Sequence, residues 1–185
     1  MSRDLIYSGL SLVKGGTRIL HGVSGAFRAG EVTAILGPNG AGKSSLLHCL
    51  AGLEPNAGGS VEIDGKTHSS IQPRERARQI GFLPQQAEVH WNISVHALVA
   101  LGRLGHNGGG RLSPADARIV ESVMDAMDIT QFAHRPVLSL SGGERARVLL
   151  ARVLAGEPRG LRAYEPLASL DPAHQLTVLH HLGRA

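Results

Sequence analysis

The sequence predicts an α/β fold in which a glycine-rich loop joins a strand to a helix. Residues 31–36, "EVTAIL", form a short apolar run rich in β-forming residues, which is typical of a buried strand. After the loop, Leu46, Leu47 and Leu50 recur at helical spacing. Helical stripes also occur in the middle of the chain, and together these observations place the chain in the α/β class.

Length and composition indicate one cytoplasmic domain. A chain of 185 residues is long enough to bury a proper core and short for two domains. No apolar run approaches the roughly 20 residues that a membrane-spanning helix needs, and the N-terminus lacks the layout of a secretory signal. The single cysteine, Cys49, excludes an internal disulfide and fits a reducing compartment.

The net charge of +4 does not indicate a nucleic-acid partner. Basic residues are interrupted by acidic and apolar ones, as in "RERAR", and no aromatic residues alternate with them. We therefore expect no nucleic acid, and a charged surface that faces solvent or an anionic partner. His174, His180 and His181 lie near the C-terminus without a cysteine or carboxylate cluster at ligand spacing, so they do not predict a metal site.

The residues after the predicted strand match G-x-x-x-x-G-K-[ST], a phosphate-binding loop. Its glycines allow backbone N–H groups to surround phosphate oxygens, and the helix N-terminus adds a partial positive charge. We expect Lys43 to neutralise the β- and γ-phosphates of ATP and the Ser44 hydroxyl to bind Mg²⁺. A glycine-rich turn that matches by chance is the alternative, which the flanking strand and helix disfavour. The predicted binding residues are Gly37, Pro38, Asn39, Gly40, Ala41, Gly42, Lys43, Ser44 and Ser45.

A second predicted anion-binding surface lies at a later helix start, in "LSLSGGERARVLLARVLAGEP". Ser141 and the backbone of Gly142 and Gly143 begin this helix, where free N–H groups point at a ligand. A simple Ser-Gly-Gly helix cap is the alternative interpretation. The helix continues through Val148, Leu149, Arg152 and Val153.

Residues 140–144, "LSGGE", resemble the LSGGQ-type signature of ATP-binding cassette (ABC) proteins, and the resemblance extends over nearly the whole chain. It implies a P-loop NTPase core of the ABC ATPase type, an N-terminal antiparallel β part, as in "LHGVSGAFRAGEVTAILG", and an inserted helical subdomain. It also implies ATP and Mg²⁺ as ligands. The implied assembly is a head-to-tail homodimer, or a pair with another ABC ATPase subunit, in which each signature closes over the other subunit's nucleotide.

Three further positions follow the family pattern. The β-like run "IGFLP" is followed by Gln85, which resembles the Q-loop glutamine. In the family this glutamine contacts Mg²⁺ and relays to a membrane partner. If the register slips by one, Gln86 takes this place. "SLDP" resembles the D-loop, whose Asp171 lies across the dimer seam, although Asp171 before Pro172 is also an ordinary helix N-cap. Glu165 occupies the place of the catalytic base that polarises the attacking water.

The middle of the chain carries the predicted helices. One helical stripe consists of Val95, Leu98, Val99 and Leu101. Ser113 is expected to cap the next helix, with Pro114 at its first position and Asp116 in its first turn. "GHNGGGR" between the two helices is predicted as a flexible linker. We interpret residues 86–142 as a helical subdomain within a single nucleotide-binding domain, residues 1–185, that is incomplete at its C-terminus.

Two longer stretches, "QAEVHWNISVHALVALGRLGH" and "YEPLASLDPAHQ", resemble ATPase subunits of importers for iron-siderophores, haem or vitamin B12. The resemblance implies an ATP-hydrolysing subunit, peripheral on the inner face of the cell membrane, that works with a transmembrane permease and a substrate-binding protein. Cargo choice belongs to those partners. Soluble ABC proteins of DNA repair or translation have long coiled-coil insertions or tandem cassettes, and the sequence contains neither.

The chain departs from the family pattern where an apolar strand should end in Asp-Glu. Tyr164 occupies the Asp place, and a phenol, with a reference pKa of about 10, cannot supply carboxylate charge to Mg²⁺ near neutral pH. Arg162 interrupts the strand, where an unpaired buried guanidinium is costly. The alternative function is therefore a hydrolysis-deficient nucleotide-binding module, or a non-functional remnant of such a subunit.

Two more departures concern the two ends of the chain. Val13 and Lys14 stand where the family usually presents an aromatic residue that stacks on adenine, which predicts weaker base stacking. The sequence stops at Ala185, ahead of the family's further strands and its histidine at the γ-phosphate, and His180 and His181 come too early for that role. We expect a fragment or a decayed copy whose core sheet lacks its C-terminal strands.

Overall fold

The computed structural model describes residues 4–84 and 92–163 of the chain. The chain falls into two compact units that divide after Arg76. Several sequence predictions concern residues outside the described ranges: those for Gln85, Gln86, Tyr164, Glu165, Asp171, His174, His180 and His181.

The first unit contains a four-stranded antiparallel sheet with the strand order β2-β1-β3-β4. Strand β1 (Leu5–Lys14) pairs with β2 (Thr17–Phe27) along one edge and with β3 (Gly58–Ile63) along the other, and β3 pairs with β4 (Lys66–Thr67). A Gly-Gly turn with both residues at positive φ joins β1 to β2. The predicted N-terminal antiparallel β part is therefore confirmed.

Helix α1 (Lys43–Ala51) follows the glycine-rich loop and contacts β1 and β2. It ends at Gly52, whose left-handed backbone (φ 70°) lets its N–H reach the carbonyl of Cys49. The helix predicted after the loop is confirmed. The apolar core of this unit consists of Leu5, Leu10, Leu12, Leu20, Leu46, Leu50, Val61 and Ile63.

In the second unit, two strands that are far apart in sequence pair in parallel. Helix α2 (Pro73–Gln79) leads into β5 (Ile80–Leu83), which pairs with β6 (Gly160–Ala163) from Ile80 opposite Gly160 onward. A parallel pair needs a long crossover connection. The chain between β5 and β6 provides it, and the helices of the second unit lie in this connection.

The crossover carries the helices α3 (Val95–Ala100), α4 (Leu104–Asn107), α5 (Pro114–Ala126) and α6 (Gly142–Ala155). Ser113 caps α5 as predicted, because its Oγ accepts from the Asp116 N–H at 3.1 Å while Asp116 Oδ2 accepts from the Ser113 N–H at 3.3 Å. Helices α3, α5 and α6 share one core, which includes Val95, Leu98, Val99, Val120, Met124, Met127, Ile129, Val137, Val148 and Leu150.

Residues 31–36 form no strand in the structure, which corrects the prediction of a buried strand at this place. Val32 is 69% exposed and Leu36 is 89% exposed. A strand is held by ladder hydrogen bonds to a neighbour, and within the described residues neither the four-stranded sheet nor the β5–β6 pair includes this run. The prediction of a buried strand here was wrong, because apolar composition marks a segment as fit for burial but does not supply its pairing partner.

The predicted flexible linker "GHNGGGR" is also corrected in part. Its first residues lie in α4, which ends at Gly108 in the left-handed region (φ 67°). His106 Nε2 lies 2.9 Å from the Gly156 carbonyl oxygen, and Arg78 Nε donates to the Gly105 carbonyl at 2.7 Å. These bonds come from residues distant in sequence, so glycine content alone did not reveal the order.

The described ranges, 4–84 and 92–163, hold no helix with both the length and the apolar character required to cross a bilayer. The boundaries 86–142 for a helical subdomain stay a prediction.

Candidate functional site

The loop at residues 37–45 turns through glycines that adopt the left-handed region of backbone space. Gly40 has φ 82° and Gly42 has φ 86°, and the Ala41 N–H donates to the Pro38 carbonyl at 3.2 Å. Side-chain-bearing residues reach this region only with strain. The glycine spacing therefore follows from the backbone path of the loop.

The Lys43 side chain curls back over the start of the same loop. Its Nζ donates to the carbonyl oxygens of Gly37 at 2.7 Å and Pro38 at 2.8 Å. Because both acceptors are exposed backbone groups, a phosphate oxygen can replace them as the partner of the ammonium. The geometry thus holds one positive charge directly beside the loop.

The N-terminus of α1 has no side-chain cap and can accept an anion, whereas the N-termini of the other long helices are capped by their own side chains. No side chain caps it, and its first turn contains no acidic residue. Helices α5 and α6 instead begin with capping boxes whose own carboxylates, Asp116 and Glu144, occupy the helix start. Among the described helix starts of comparable length, α1 is the one whose N–H groups and positive dipole end suit an external anion.

Ser44, the residue predicted to bind Mg²⁺, is exposed in the structure. No group of three or more His, Cys, Asp or Glu side chains within the described residues is arranged to hold a metal. A site built from one hydroxyl, phosphate oxygens and water suits Mg²⁺, which keeps most of its water shell and takes few protein ligands. Ser44 therefore fits a magnesium ion that arrives together with a phosphate ligand.

The loop packs against β2 at Gly42. A Cβ added to Gly42 lies 3.2 Å from Leu20 Cδ2 and 3.3 Å from the Ile19 carbonyl oxygen. Sequence analysis assigned Gly42 to the loop for its backbone freedom, and the structure adds this close contact as a second reason for glycine.

The predicted signature residues lie at the start of α6. Ser141 is the N-cap: its Oγ accepts from the Glu144 N–H at 3.3 Å, and Glu144 Oε2 accepts from the Ser141 N–H at 2.8 Å. The hydrogen bond from the Ser141 N–H holds the pKa of the Glu144 carboxyl below its usual range. The helix-cap alternative is confirmed as geometry, and the exposed Gly142 and the half-buried Gly143 lie at the helix start.

Two arginines that the sequence did not single out donate hydrogen bonds to the backbone carbonyls directly before Ser141. Arg135 Nη2 donates to the Ser139 carbonyl at 3.2 Å, and Arg145 Nη2 donates to the Leu140 carbonyl at 3.2 Å. The Arg135 guanidinium also lies over the ring of Phe132, 5.2 Å from its centroid. The three-residue spacing between Phe132 and Arg135 is the sequence signal that could have identified the Arg135 contact.

A buried arginine connects the far end of α6 to α5. Arg103 is 4% exposed. Its Nε donates to Asp116 Oδ1 at 2.7 Å, and its Nη1 donates to the Ala155 carbonyl and to Glu157 Oε2, both at 2.8 Å. The helix that begins at the signature is thereby held at its C-terminal end by a charged network.

Arg162 lies in β6 as predicted. Burial lowers the pKa of its guanidinium to about 10. Within the described residues its acceptor is the carbonyl oxygen of Gly160, two residues back, at 3.0 Å from Nη1. The strand forms with the arginine in it, and the hydrogen-bond partner of the guanidinium among residues 4–84 and 92–163 is this neutral carbonyl.

Lys14, at the end of β1, is engaged in an ion pair. Its ammonium contacts the Glu54 carboxylate, which also lies 3.3 Å from His48 Nδ1. The Lys14 hydrogen bond is the main cause that lowers the pKa of Glu54. Val13 beside it is 55% exposed. The structure therefore places an ion pair and an aliphatic side chain where sequence analysis noted the absence of an aromatic residue.

Comparisons with known proteins agree with these features. The ABC transporter family model matches residues 20–168. The hemin import ATP-binding protein HmuV of Pseudomonas entomophila (strain L48) is 45% identical over 177 residues, which cover 92% of this chain and 68% of the relative. The cobalamin import ATP-binding protein BtuD of Halobacterium salinarum (strain ATCC 29341 / DSM 671 / R1) is 40% identical over 172 residues, which cover 93% of this chain and 43% of the relative.

A solved structure, described as a metal-chelate type ABC transporter in an inward-facing conformation, superposes with a TM-score of 0.77 at 30% identity. The superposition covers 98% of this chain and 67% of that one. The phosphate-binding loop, the signature-like helix start and the mixed α/β architecture all match this relationship. The chain belongs to the ABC transporter family, as one of its ATPase-type ATP-binding proteins.

Proposed function

We propose that the chain is the ATP-binding and ATP-hydrolysing subunit of an ABC importer, which couples ATP hydrolysis to uptake of an iron-chelate, haem or cobalamin type compound. The observation that carries the proposal is the loop at residues 37–45, where the Lys43 ammonium lies beside the uncapped N-terminus of α1. The cargo class is supported by the hemin and cobalamin import functions named for the relatives. The cargo itself would pass through a separate permease, fed by a substrate-binding protein.

The loop supplies the groups that a nucleoside triphosphate needs. Backbone N–H groups from Gly37 to Ser45 surround the phosphates, and Lys43 exchanges its two carbonyl acceptors for phosphate oxygens. The Ser44 hydroxyl takes one position on Mg²⁺, and Mg²⁺ neutralises phosphate charge when bound. Asn39, Gly40 and Ala41 shape the turn between these groups. All of these loop residues belong to the first unit.

The start of α6 is proposed as the second anion-binding surface, used on the nucleotide of a paired ATPase subunit. The Ser141 hydroxyl and the N–H groups of Gly142 and Gly143 are its donors. Gln85 is proposed to contact Mg²⁺, and Glu165 to polarise the attacking water, as the family pattern implies. The pairing with a permease places the subunit at the inner face of the cell membrane.

A nucleotide-binding module without turnover is the second candidate. It is favoured by Arg162, whose half-buried guanidinium lies in the strand that precedes Tyr164 and Glu165 in the sequence and has a carbonyl as its acceptor among the described residues. A phenol in place of a carboxylate, at Tyr164, weakens the hold on the metal. Steady ATP hydrolysis that disappears in Glu165→Gln would exclude this candidate.

The test of nucleotide binding uses isothermal titration of the chain with MgATP. We expect Lys43→Ala to abolish measurable binding, because it removes the charge that the loop holds for the phosphates. Lys66→Ala, which removes an exposed lysine of the same unit from β4, serves as the matched control and should bind as the parent does. Equal affinity of the parent and Lys43→Ala for MgATP would contradict the proposal.

A further inference from the structure

The parallel pair β5–β6 is short, and its own residues leave its register open. Four residues of each strand pair, from Ile80 opposite Gly160 to Leu83 opposite Ala163. Leu83 belongs to the core of the second unit and Ala163 packs against that core, so a slip of one residue would turn Ala163 away from it. A slip of two residues would bring Leu161, which also packs against the core, opposite Leu83. Because the apolar pattern does not exclude this second register, contacts outside the two strands must select the observed one.

The register of β5 and β6 bears on the proposed reaction, because a proposed catalytic residue follows each strand in the sequence. Gln85 comes two residues after Leu83, and Glu165 comes two residues after Ala163. Leu83 and Ala163 are the last pair of the ladder, so the observed register gives both catalytic candidates the same offset in sequence from that pair. A slip of two residues would displace one strand end from the other by about 7 Å. The register thus sets where the chain leaves the sheet toward each of the two residues.

Both strands are tied, just before they begin, to one short segment, residues 102–106. On the β5 side, Arg78 at the end of α2 donates from Nε to the Gly105 carbonyl at 2.7 Å and from Nη2 to the His106 carbonyl at 3.4 Å. On the β6 side, His106 Nε2 lies 2.9 Å from the carbonyl oxygen of Gly156, directly after α6. The 102–106 segment therefore links the residues that precede β5 to the residues that precede β6.

Arg103 makes the charged contacts of this segment. Its Nη1 donates to the Ala155 carbonyl and to Glu157 Oε2, both at 2.8 Å, and its Nε donates to Asp116 Oδ1 at 2.7 Å. A guanidinium presents its donors in a rigid planar fork, so it fixes the positions of these acceptors relative to one another. A lysine ammonium is a single point charge on a flexible stem and cannot do the same.

Two features of the backbone indicate that this contact is required to be close. Glu157 has φ 45°, in the left-handed region where glycine is the usual residue after a helix. Glutamate adopts this conformation with strain, and its carboxylate makes the contact with Arg103 that a glycine could not make. At Gly102, an added Cβ would collide with the carbonyl oxygen of Arg152 in α6. The 102–106 segment thus lies directly against the end of α6.

We propose that Arg103 is a positioning residue, which sets the register of β5 against β6 through the bonds of the 102–106 segment to the residues before both strands. It acts on ATP hydrolysis through the strands that precede Gln85 and Glu165 in the sequence. This part of the inference rests on the proposed function. The register itself does not, because it depends on contacts within the second unit.

The experiment reads the register by disulfide formation between pairs of introduced cysteines, in the Cys49→Ala background. Phe82→Cys with Arg162→Cys is the in-register pair, because the two residues are opposite each other. Neighbouring strands bring such Cα atoms to about 4.8 Å, within the span of a disulfide. Phe82→Cys with Gly160→Cys is the slipped pair, whose Cα atoms lie about 8 Å apart in the observed register, beyond that span. We expect the in-register pair to oxidise at least about tenfold faster than the slipped pair.

Variants then separate positioning from general stability. Arg103→Lys keeps a cation for Asp116 but not the planar fork, and Arg103→Met keeps neither. Both should reduce the preference for the in-register pair to less than about threefold. Met124→Ala is the matched control: it removes packing from the core face of α5, so it lowers stability without changing the 102–106 segment, and it should keep the preference. Urea unfolding compares the losses of stability, and oxidation is measured where every variant is folded.

The outcomes distinguish the inference from the proposed function. An undiminished preference in both Arg103 variants overturns the inference, and so does an equal loss in Met124→Ala, because the register would then follow stability in general. ATP turnover is measured on the same variants without the added cysteines, and Arg103→Lys should lower kcat about a hundredfold, as displaced catalytic groups do. A parental kcat in Arg103→Lys overturns its role in the reaction. No hydrolysis by the parent overturns the proposed ATP-hydrolysing function and the catalytic part of the inference, while the cross-links still decide the register.

Discussion

The Lys43 ammonium lies 2.7 Å from the carbonyl oxygen of Gly37, the first residue of its own loop. The positive charge of Lys43 is thus held in place by the backbone of its own loop. This arrangement depends on a sharp turn between the two residues, and the turn depends on glycines at positive φ. The first prediction concerns those glycines.

Gly42→Ala should destabilise the first unit more than Gly40→Ala does. Both positions have positive φ, which strains any residue with a Cβ by about 1–2 kcal/mol. Only at Gly42 does the added Cβ also meet β2, at 3.3 Å from the Ile19 carbonyl oxygen, whereas nothing lies within 4 Å at Gly40. Urea unfolding of the two variants measures the difference, and equal free energies of unfolding would show that the contact with β2 has no cost.

Arg162→Met should stabilise the chain. The guanidinium is buried enough to lower its pKa to about 10, and its acceptor among the described residues is one neutral carbonyl. Replacing a half-buried charge, whose acceptor among the described residues is neutral, by an apolar side chain is expected to add about 1 kcal/mol to the free energy of unfolding. Arg118→Met, which changes an exposed arginine of α5, is the control and should have little effect.

The lowered pKa of Arg162 also predicts how the stability gain of Arg162→Met changes with pH. Because the folded-state pKa is lower than the unfolded value, burial of the charged form costs stability at neutral pH, and this cost falls as pH rises past about 10. The advantage of Arg162→Met over the parent should therefore shrink in that range. An unchanged or lower melting temperature of Arg162→Met at pH 7 would contradict the prediction.

Arg103→Met should have the opposite effect. Arg103 is 4% exposed and is the partner of Asp116 and Glu157 at once, so its loss leaves the buried Asp116 carboxylate without a cation. Breaking a buried pair by removing one partner costs about 3–5 kcal/mol. Arg111→Met, at an exposed position of the same unit, serves for comparison. The measurement is denaturant unfolding, and a loss no larger than that of Arg111→Met would show that the network contributes little.

The two capping boxes predict an acid-dependent loss of stability. The Ser113 hydroxyl, followed by Arg103, lowers the pKa of Asp116, and the Ser141 N–H lowers that of Glu144. Lowered pKa values mean that the stabilisation is complete above the ordinary carboxyl pKa and is lost as pH falls through the folded-state values. The stability difference between the parent and Asp116→Asn, measured by urea unfolding from pH 7 to pH 3, should therefore shrink toward low pH. A stability difference that stays constant from pH 7 to pH 3 would contradict the role given to the Asp116 carboxylate.

Sequence analysis located the local parts of the site well. The helix start at Ser113, the helix after the loop and the helix start at Ser141 are confirmed, because each depends on contacts within three or four residues that spacing alone encodes. The sequence did not reveal the hydrogen bonds that Arg135 and Arg145 donate, because their acceptors lie in a turn that only the folded backbone forms.

By itself, the sequence determined that a helix follows the glycine-rich loop and which serines start helices α5 and α6. These features follow from allowed backbone angles and from hydrogen bonds between near neighbours in the chain. Tertiary structure alone decided that residues 31–36 have no strand partner among the described residues, and that Arg103 meets Glu157, 54 residues away. Pairing across such distances depends on which surfaces the folded chain brings together, and no short pattern of residue types carries that information.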